Sequence, residues 1–238
     1  MGPVIPDEVA LEPEFFAGEL DRRTIVAART IVATRTLPVL PLQHSVFFPG
    51  AIIPIDIASP SSLRMIRSLA TLGRRFGRNP LLLVANAYPN DGKEIQTTGC
   101  GVQLLKTGSW WRRRFRVLVH CVSRVRIDKW LWSWPYRTAR VTFLPDPAPP
   151  SMDEELALLA KTLEELALDA TRNLDHEHQA RELIASVRTN PFELADLIAS
   201  NIEGTVVQKQ RVLEAADPKE RIRLVTELVR ESLAPASH

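Results

Sequence analysis

The chain has 238 residues, with 30 Lys and Arg against 28 Asp and Glu, for a formal net charge of +2. An apolar fraction of 45% and a charged fraction of 24% are ordinary globular values, which excludes a collagen-like, low-complexity or wholly disordered chain. The near-zero total conceals an asymmetry, because residues 1–150 sum to +9 and residues 151–238 to −7.

The sign changes at the proline-rich stretch 145–150, and four parts follow in chain order. They are a flexible acidic extension over 1–36, a β-rich unit over 37–145, a linker over 146–150 and a helical unit over 151–235. The extension holds Asp7, Glu8, Glu12, Glu14 and Glu19 with no basic residue before Arg22. That is the reverse of a secretory signal, which starts basic and continues apolar. The charge-free stretch 36–55 contains Pro38, Pro41, Pro49 and Pro54, so it does not read as a spanning helix. Two cysteines, Cys100 and Cys121, with no paired spacing, point to a reducing compartment. The expectation is a cytoplasmic protein with no membrane partner.

In the first unit, short apolar runs at 37–42, 52–57, 81–85, 102–105, 115–122 and 136–144 recur between turn signals and predict strands. Over 115–121, Phe115, Val117, Val119 and Cys121 share one face while Arg116 and His120 share the other, the pattern of a half-buried strand. One helix interrupts the series. Ser59 and Pro60 open it, Leu63, Ile66, Leu69 and Ala70 form its stripe, and Gly73 closes it.

The second unit reads as a bundle of four or more helices. Ser151, Asn190 and Asp217 each stand three residues before a glutamate (Glu154, Glu193 and Glu220), the spacing of a capping box. Leu156, Leu159, Ala160, Leu163, Leu166 and Ala167 follow helical spacing. So do Leu194, Leu197 and Ile198, then Ile222, Val225, Leu228 and Val229. A further helix falls near 205–215.

Catalytic signatures are missing from these residues. The Gly92–Lys93 pair has Ala87 where a phosphate loop needs its first glycine. A nucleophile elbow and a paired-histidine zinc motif are both lacking. His176 and His178 stand two apart, which turns them to different sides of a helix. The reading is of no catalytic residue, no cofactor and no metal.

The distinctive window is 106–140. It contains all five tryptophans, ten basic residues and one acid, Asp128. Within it, Trp110, Trp111, Arg112, Arg113 and Arg114 fall where a hairpin turns, and Trp130, Trp132 and Trp134 follow. Arg and Trp anchor interfaces through large rigid contact area, stacking and bidentate hydrogen bonds. These eight residues are the candidate binding residues. The competing reading is that the tryptophans cap the end of a barrel and the arginines solvate its rim.

The order of segments resembles the amino-terminal domain of Lon proteases. The motif Leu37, Pro38, Val39, Leu40, Pro41, Leu42 leads into Val46, Phe47, Phe48, Pro49, Gly50 and then Ile53, Pro54, Ile55. A turn at Thr98, Gly99, Cys100, Gly101 follows, then Val117 to Val119, Arg124 to Ile127 and Tyr136 to Val141. The helical part continues the match through Leu194, Ala195, Asp196, Leu197, Ile198, Ala199, then Lys209 to Glu214, and Asp217 with Glu220 and Arg221. The resemblance spans about residues 37–233.

It implies an α+β fold, a PUA-like β-barrel with one interleaved helix followed by an all-α helical bundle. It also implies a non-catalytic module that recognises unfolded or degron-tagged polypeptides, free-standing or part of an ATP-dependent protease. The ATPase and Ser–Lys peptidase residues of the family have no counterparts here. A Lon-type protease core or a second copy of the chain is the implied assembly partner. The alternatives are a nucleic-acid-binding module using the Trp/Arg segment, and a structural adaptor for protease assembly. The acidic extension and the Trp/Arg hairpin are not family hallmarks.

Overall fold

The structure, a computed structural model, describes residues 34–77, 79–86, 95–111, 114–144, 146, 154–172 and 176–233, without the side chains of 109–111 and 114. Six strands come first: β1 (Thr34–Leu42), β2 (Ile52–Ile57), β3 (Leu81–Asn86), β4 (Thr98–Trp111), β5 (Arg114–Trp132) and β6 (Thr138–Leu144). Helix α1 (Pro60–Phe76) lies between β2 and β3. The helices α2 (Glu154–Ala170), α3 (Glu177–Val187), α4 (Pro191–Asn201), α5 (Val206–Glu214) and α6 (Pro218–Leu233) follow. The fold is α+β.

Hydrogen bonding runs β2-β5-β4-β3-β1-β6, and an added β5–β6 pairing closes β1, β3, β4, β5 and β6 into a ring. The closure is possible because β5 is 19 residues long. Its first part pairs with β2, from Phe115 opposite Ile57 to His120 opposite Ile52. Its second part pairs with β6, from Arg124 opposite Leu144 to Trp132 opposite Thr138. Register shifts interrupt β4–β5 and β5–β6, and such bulges bend a strand enough to bring its two halves to different neighbours.

β4 and β5 extend well beyond their apolar runs. Thr98–Gly101, which reads as a turn, is instead strand, with Val84 opposite Cys100 on one side and Gly99 opposite Val125 on the other. The glycines serve close packing. A Cβ on Gly99 would stand 2.3 Å from the Val84 carbonyl oxygen, and one on Gly101 would stand 2.9 Å from the Val125 side chain. Gly99→Ala is expected to cost about 3 kcal/mol in a urea melt, because backbone has to move to admit the methyl group.

The stretch 115–121 is covered on both faces: Leu118 and His120 are buried along with Val117, Val119 and Cys121. Arg116 reaches across to β2 and holds Asp56 through Nε at 2.8 Å and Nη2 at 3.1 Å. Helix α1 starts as its sequence predicts, with Pro60 after the Ser59 cap, but runs past Gly73 to Phe76. Gly77 ends it with φ 60° and returns its N–H to the Gly73 carbonyl, so the left-handed cap and not the first glycine sets the stop.

Among the helices, Asn190 accepts from the N–H of Phe192 at 3.1 Å and of Glu193 at 3.5 Å. Its amide also donates to Glu193 at 2.8 Å. Asp217 accepts from the Glu220 N–H at 3.0 Å. The Ser151 cap lies outside the described residues. Thr205 and Gln208 form a complete capping box at the start of α5. The helical stripes bury as their spacing predicts, with Leu156, Leu163, Leu194, Ile222, Val225 and Val229 all at 2% exposure or less.

Three apolar clusters result. One lies between α1 and the ring, around Met65, Ile66, Leu82 and Val102. A second joins Leu37, Val39, Val125, Val141 and Phe143. The third is the centre of the bundle, and it includes Phe48 from the β1–β2 connection.

Candidate functional site

The Trp/Arg window divides between two places in the fold. Trp110 and Trp111 end β4, paired with Phe115 and Arg114 at the start of β5. Arg112 and Arg113, between the strands, lie outside the described residues. Trp130 and Trp132 close β5, opposite Ala139 and Thr138 of β6, and Trp134 follows in the connecting turn. Along the 19 residues of β5, the backbone of Trp110 and Trp111 therefore pairs at its start, while Trp130 and Trp132 lie at its close.

The β5–β6 hairpin exposes its aromatic groups. Trp130 is 42% exposed, Trp132 70% and Trp134 76%. A tryptophan buries most of its large ring when it serves a core, so three open indoles on one hairpin form an unspent contact surface. Lys129 and Arg140 are exposed beside them. The single acid of the window is already engaged, because Asp128 accepts from the Thr142 hydroxyl at 2.6 Å and faces Arg126 Nε at 3.4 Å. Among the described residues no acid pairs with Lys129 or Arg140. The hairpin thus offers flat apolar faces, indole N–H donors and uncompensated positive charge, a chemistry suited to non-covalent capture of aromatic or aliphatic side chains with acidic neighbours.

One member of the basic window is not on the surface. Arg124 is 4% exposed, because α4 and α5 cover it. It grips Asp196 of α4 through Nη2 at 2.5 Å and Nη1 at 2.8 Å, and Nε donates to the Leu213 carbonyl at 3.0 Å. Arg221 of α6 comes within 3.8 Å of the same Asp196 and donates to Asp146 at 2.9 Å. The Arg221 guanidinium lies 4.9 Å from the centre of the Phe192 ring. Burial alone would raise the Asp196 carboxyl and lower the Arg124 guanidinium. The bidentate contact opposes both tendencies: it leaves the Arg124 guanidinium above its ordinary value, while at Asp196 burial outweighs the two neighbouring cations and holds the carboxyl above the usual carboxylate range.

Sequence reading missed this joint between the ring and the bundle. The available signal was one acid, Asp196, inside the otherwise apolar run 194–199, since an acid in the buried stripe of a helix requires a cationic partner. Gln210 of α5 adds a second tie, donating to the Thr98 carbonyl at 3.0 Å.

Other titratable groups fall elsewhere. His178 is exposed and faces Glu182 at 3.3 Å on its own helix, and His176 precedes the first turn of α3. Cys100 and Cys121 are buried and free. Burial, then the neighbouring Cys100, pushes the Cys121 thiol well up from its ordinary range, which suppresses the reactive thiolate. Among the described residues no group of His, Cys, Asp and Glu could hold a metal ion. No helix among them is long and apolar enough to cross a membrane.

Comparison with known proteins gives the arrangement a lineage. Lon protease 2 of Myxococcus xanthus is 30% identical over 198 residues, covering 82% of this chain and 23% of that protein. Lon protease 2 of Sorangium cellulosum is 31% identical over 208 residues, covering 83% of this chain and 25% of that protein. The chain therefore spans about a quarter of the length of the curated relatives it matches. The N-terminal domain of the Mycobacterium avium complex Lon protease superposes with a TM-score of 0.65 at 21% identity, over 84% of this chain and 100% of that one. A Lon N-terminal domain protein from Xanthomonas campestris gives 0.57 at 18% identity, over 81% and 98%. At these identities the two structures establish the fold. The model of the ATP-dependent protease La (Lon) substrate-binding domain matches residues 36–231, and the chain belongs to that family.

Proposed function

We propose that the chain is a non-catalytic polypeptide-binding module that holds unfolded or degron-bearing segments for a Lon-type protease core in the cytoplasm. Membership in a substrate-binding family supports the class of activity. The observation that carries the site is the open hairpin of Trp130, Trp132 and Trp134 with Lys129 and Arg140 beside it. Indole faces take up apolar side chains that a folded client hides, and the cations favour acidic flanking residues. The other candidates of the window, Trp110, Trp111, Arg112, Arg113 and Arg114, are assigned to another part of an extended client.

The test is binding of a carboxymethylated, permanently unfolded protein, followed by fluorescence anisotropy. Trp132→Ala with Trp134→Ala is expected to weaken binding at least tenfold, since interface tryptophans commonly contribute more than about 1 kcal/mol each. Thermal stability should stay within about 2 °C, because both side chains are solvated in the free protein. Unchanged affinity in a folded variant assigns client binding elsewhere.

A further inference from the structure

Helix α1 carries a second surface with no role in that reading. Leu72, Gly73, Phe76 and Pro80 line an open groove of about 510 Å³. Leu72 is 46% exposed and Phe76 64%. On the same helix Arg64, Arg67, Arg74 and Arg75 are all exposed, and Arg75 lies 5.7 Å from the centre of the Phe76 ring. The helix contains no acidic residue. Arg74 and Arg75 suit the negative end of the helix dipole, but Arg64 and Arg67 stand in its first half, where the dipole disfavours cations. None of the four pairs with an acid among the described residues. The groove is therefore apolar, flanked by uncompensated positive charge.

The chain contains a segment of the complementary chemistry. Residues 7–21, outside the described residues and outside the family match, carry six acids and no basic residue. Phe15, Phe16, Leu11 and Leu20 are interspersed among those acids. Topology places it within reach. β1 and β3 are parallel, with Val39 opposite Leu83, so the chain enters β1 at the end of the ring where Pro80 leads into β3. The thirteen residues from Asp21 to Thr34 span up to about 43 Å, against about 25 Å for the whole of α1.

The geometry points to residues 7–21 as the occupant of the α1 groove: Phe15 and Phe16 seat against Leu72, Phe76 and Pro80, and the acids face Arg64, Arg67, Arg74 and Arg75. The segment acts in cis, as a built-in competitor for acidic, aromatic peptides at this second surface. Tethering gives it an effective concentration in the millimolar range, so an external peptide of the same composition meets an occupied groove.

The experiment uses the full chain and a fluorescein-labelled peptide spanning residues 5–23. Disabling the internal segment by Glu12→Lys, Glu14→Lys, Phe15→Ala and Phe16→Ala is expected to tighten binding of the peptide at least tenfold over the unaltered chain. In that background Arg67→Glu with Arg75→Glu should weaken it at least tenfold, and so should Leu72→Ser with Phe76→Ser. All four groove positions are solvated, and the buried Met65, Ile66 and Leu69 are untouched; circular dichroism melts verify folding, and either groove pair suffices if the other fails to fold. Equal binding to the unaltered and disabled chains overturns the inference. So does binding that ignores both groove pairs. Concentration-dependent dimers of the unaltered chain that Arg67→Glu dissolves would make a second copy the occupant and also overturn it.

Discussion

Asp196→Ala is expected to destabilise the protein by about 3–5 kcal/mol, the usual cost of removing one partner from a buried ion pair. The carboxylate is 2% exposed and is held by Arg124, itself 4% exposed. Arg221, 2% exposed, stands 3.8 Å away. Without Asp196, two guanidiniums remain in the interior with Asp146, 28% exposed, as the nearest compensating acid. For a chain of this length the loss corresponds to roughly 10 °C in Tm. Replacing both partners, by Arg124→Met with Asp196→Leu, should cost less than the sum of the single changes, because no buried charge is then stranded at that pair.

The same change should separate the two halves of the molecule in solution. All five tryptophans lie within 106–140, so their fluorescence reports the strands, while circular dichroism at 222 nm reports mainly the helices. The two signals should melt together in the unaltered chain and apart in Asp196→Ala. Coincident transitions in the variant would mean that Phe48 and Gln210 hold the halves together without the ion pair.

Phe48→Ala carries the second large effect, about 3–5 kcal/mol, set by the transfer of a large ring and the cavity left behind. Phe48 is fully buried in the bundle cluster although it comes from the β1–β2 connection. The connection is fixed on the ring, with the Gly50 N–H donating to the Cys121 carbonyl at 2.9 Å and the Cys121 N–H donating to the Ala51 carbonyl at 2.8 Å. Gly50 adopts φ 90°, a conformation that only glycine takes without strain. From that platform Phe47 enters the α1 cluster and Phe48 enters the bundle. Phe48→Leu, which keeps most of the volume, should cost less than about 1.5 kcal/mol. Urea melts of the two variants check the ordering.

These results show where local chemistry was sufficient. β2 covers its apolar run, Ile52–Ile57. α4 begins at the Asn190 cap followed by Pro191, and of the α2 stripe Leu156, Ala160, Leu163 and Ala167 are buried with Leu159 and Leu166 half-buried at its margin. Each signal lies within one or two turns of the chain, so neighbouring residues carry it whole. β4 was legible only in its centre, 102–105, and β5 only in its first half, 115–122. Their remaining parts are strand because partners pair with them, including Thr98–Gly101, whose glycines resemble turn residues until Val84 and Phe143 are found against them.

The candidate site divides in the same way. From the sequence alone came the α+β class, the family, and a window dense in tryptophan and arginine. Composition and short-range periodicity determine the class and the window, because those depend on residue type and spacing, while the family rests on the ordered series of motifs that begins at Leu37. Tertiary structure alone decided which members of the window share a surface. It paired Trp110 of β4 with the start of β5 and set Trp130 at the close of β5, left Trp132 and Trp134 open to water, and drew Arg124 inward to an aspartate 72 positions away. It also showed that the +9 of the first half is not one charged face. Part of that charge is neutralised in the joint with the helices, part surrounds the exposed indoles, and part lines α1. Burial and pairing between distant segments set where charge resides, and the linear spacing of residues does not record either.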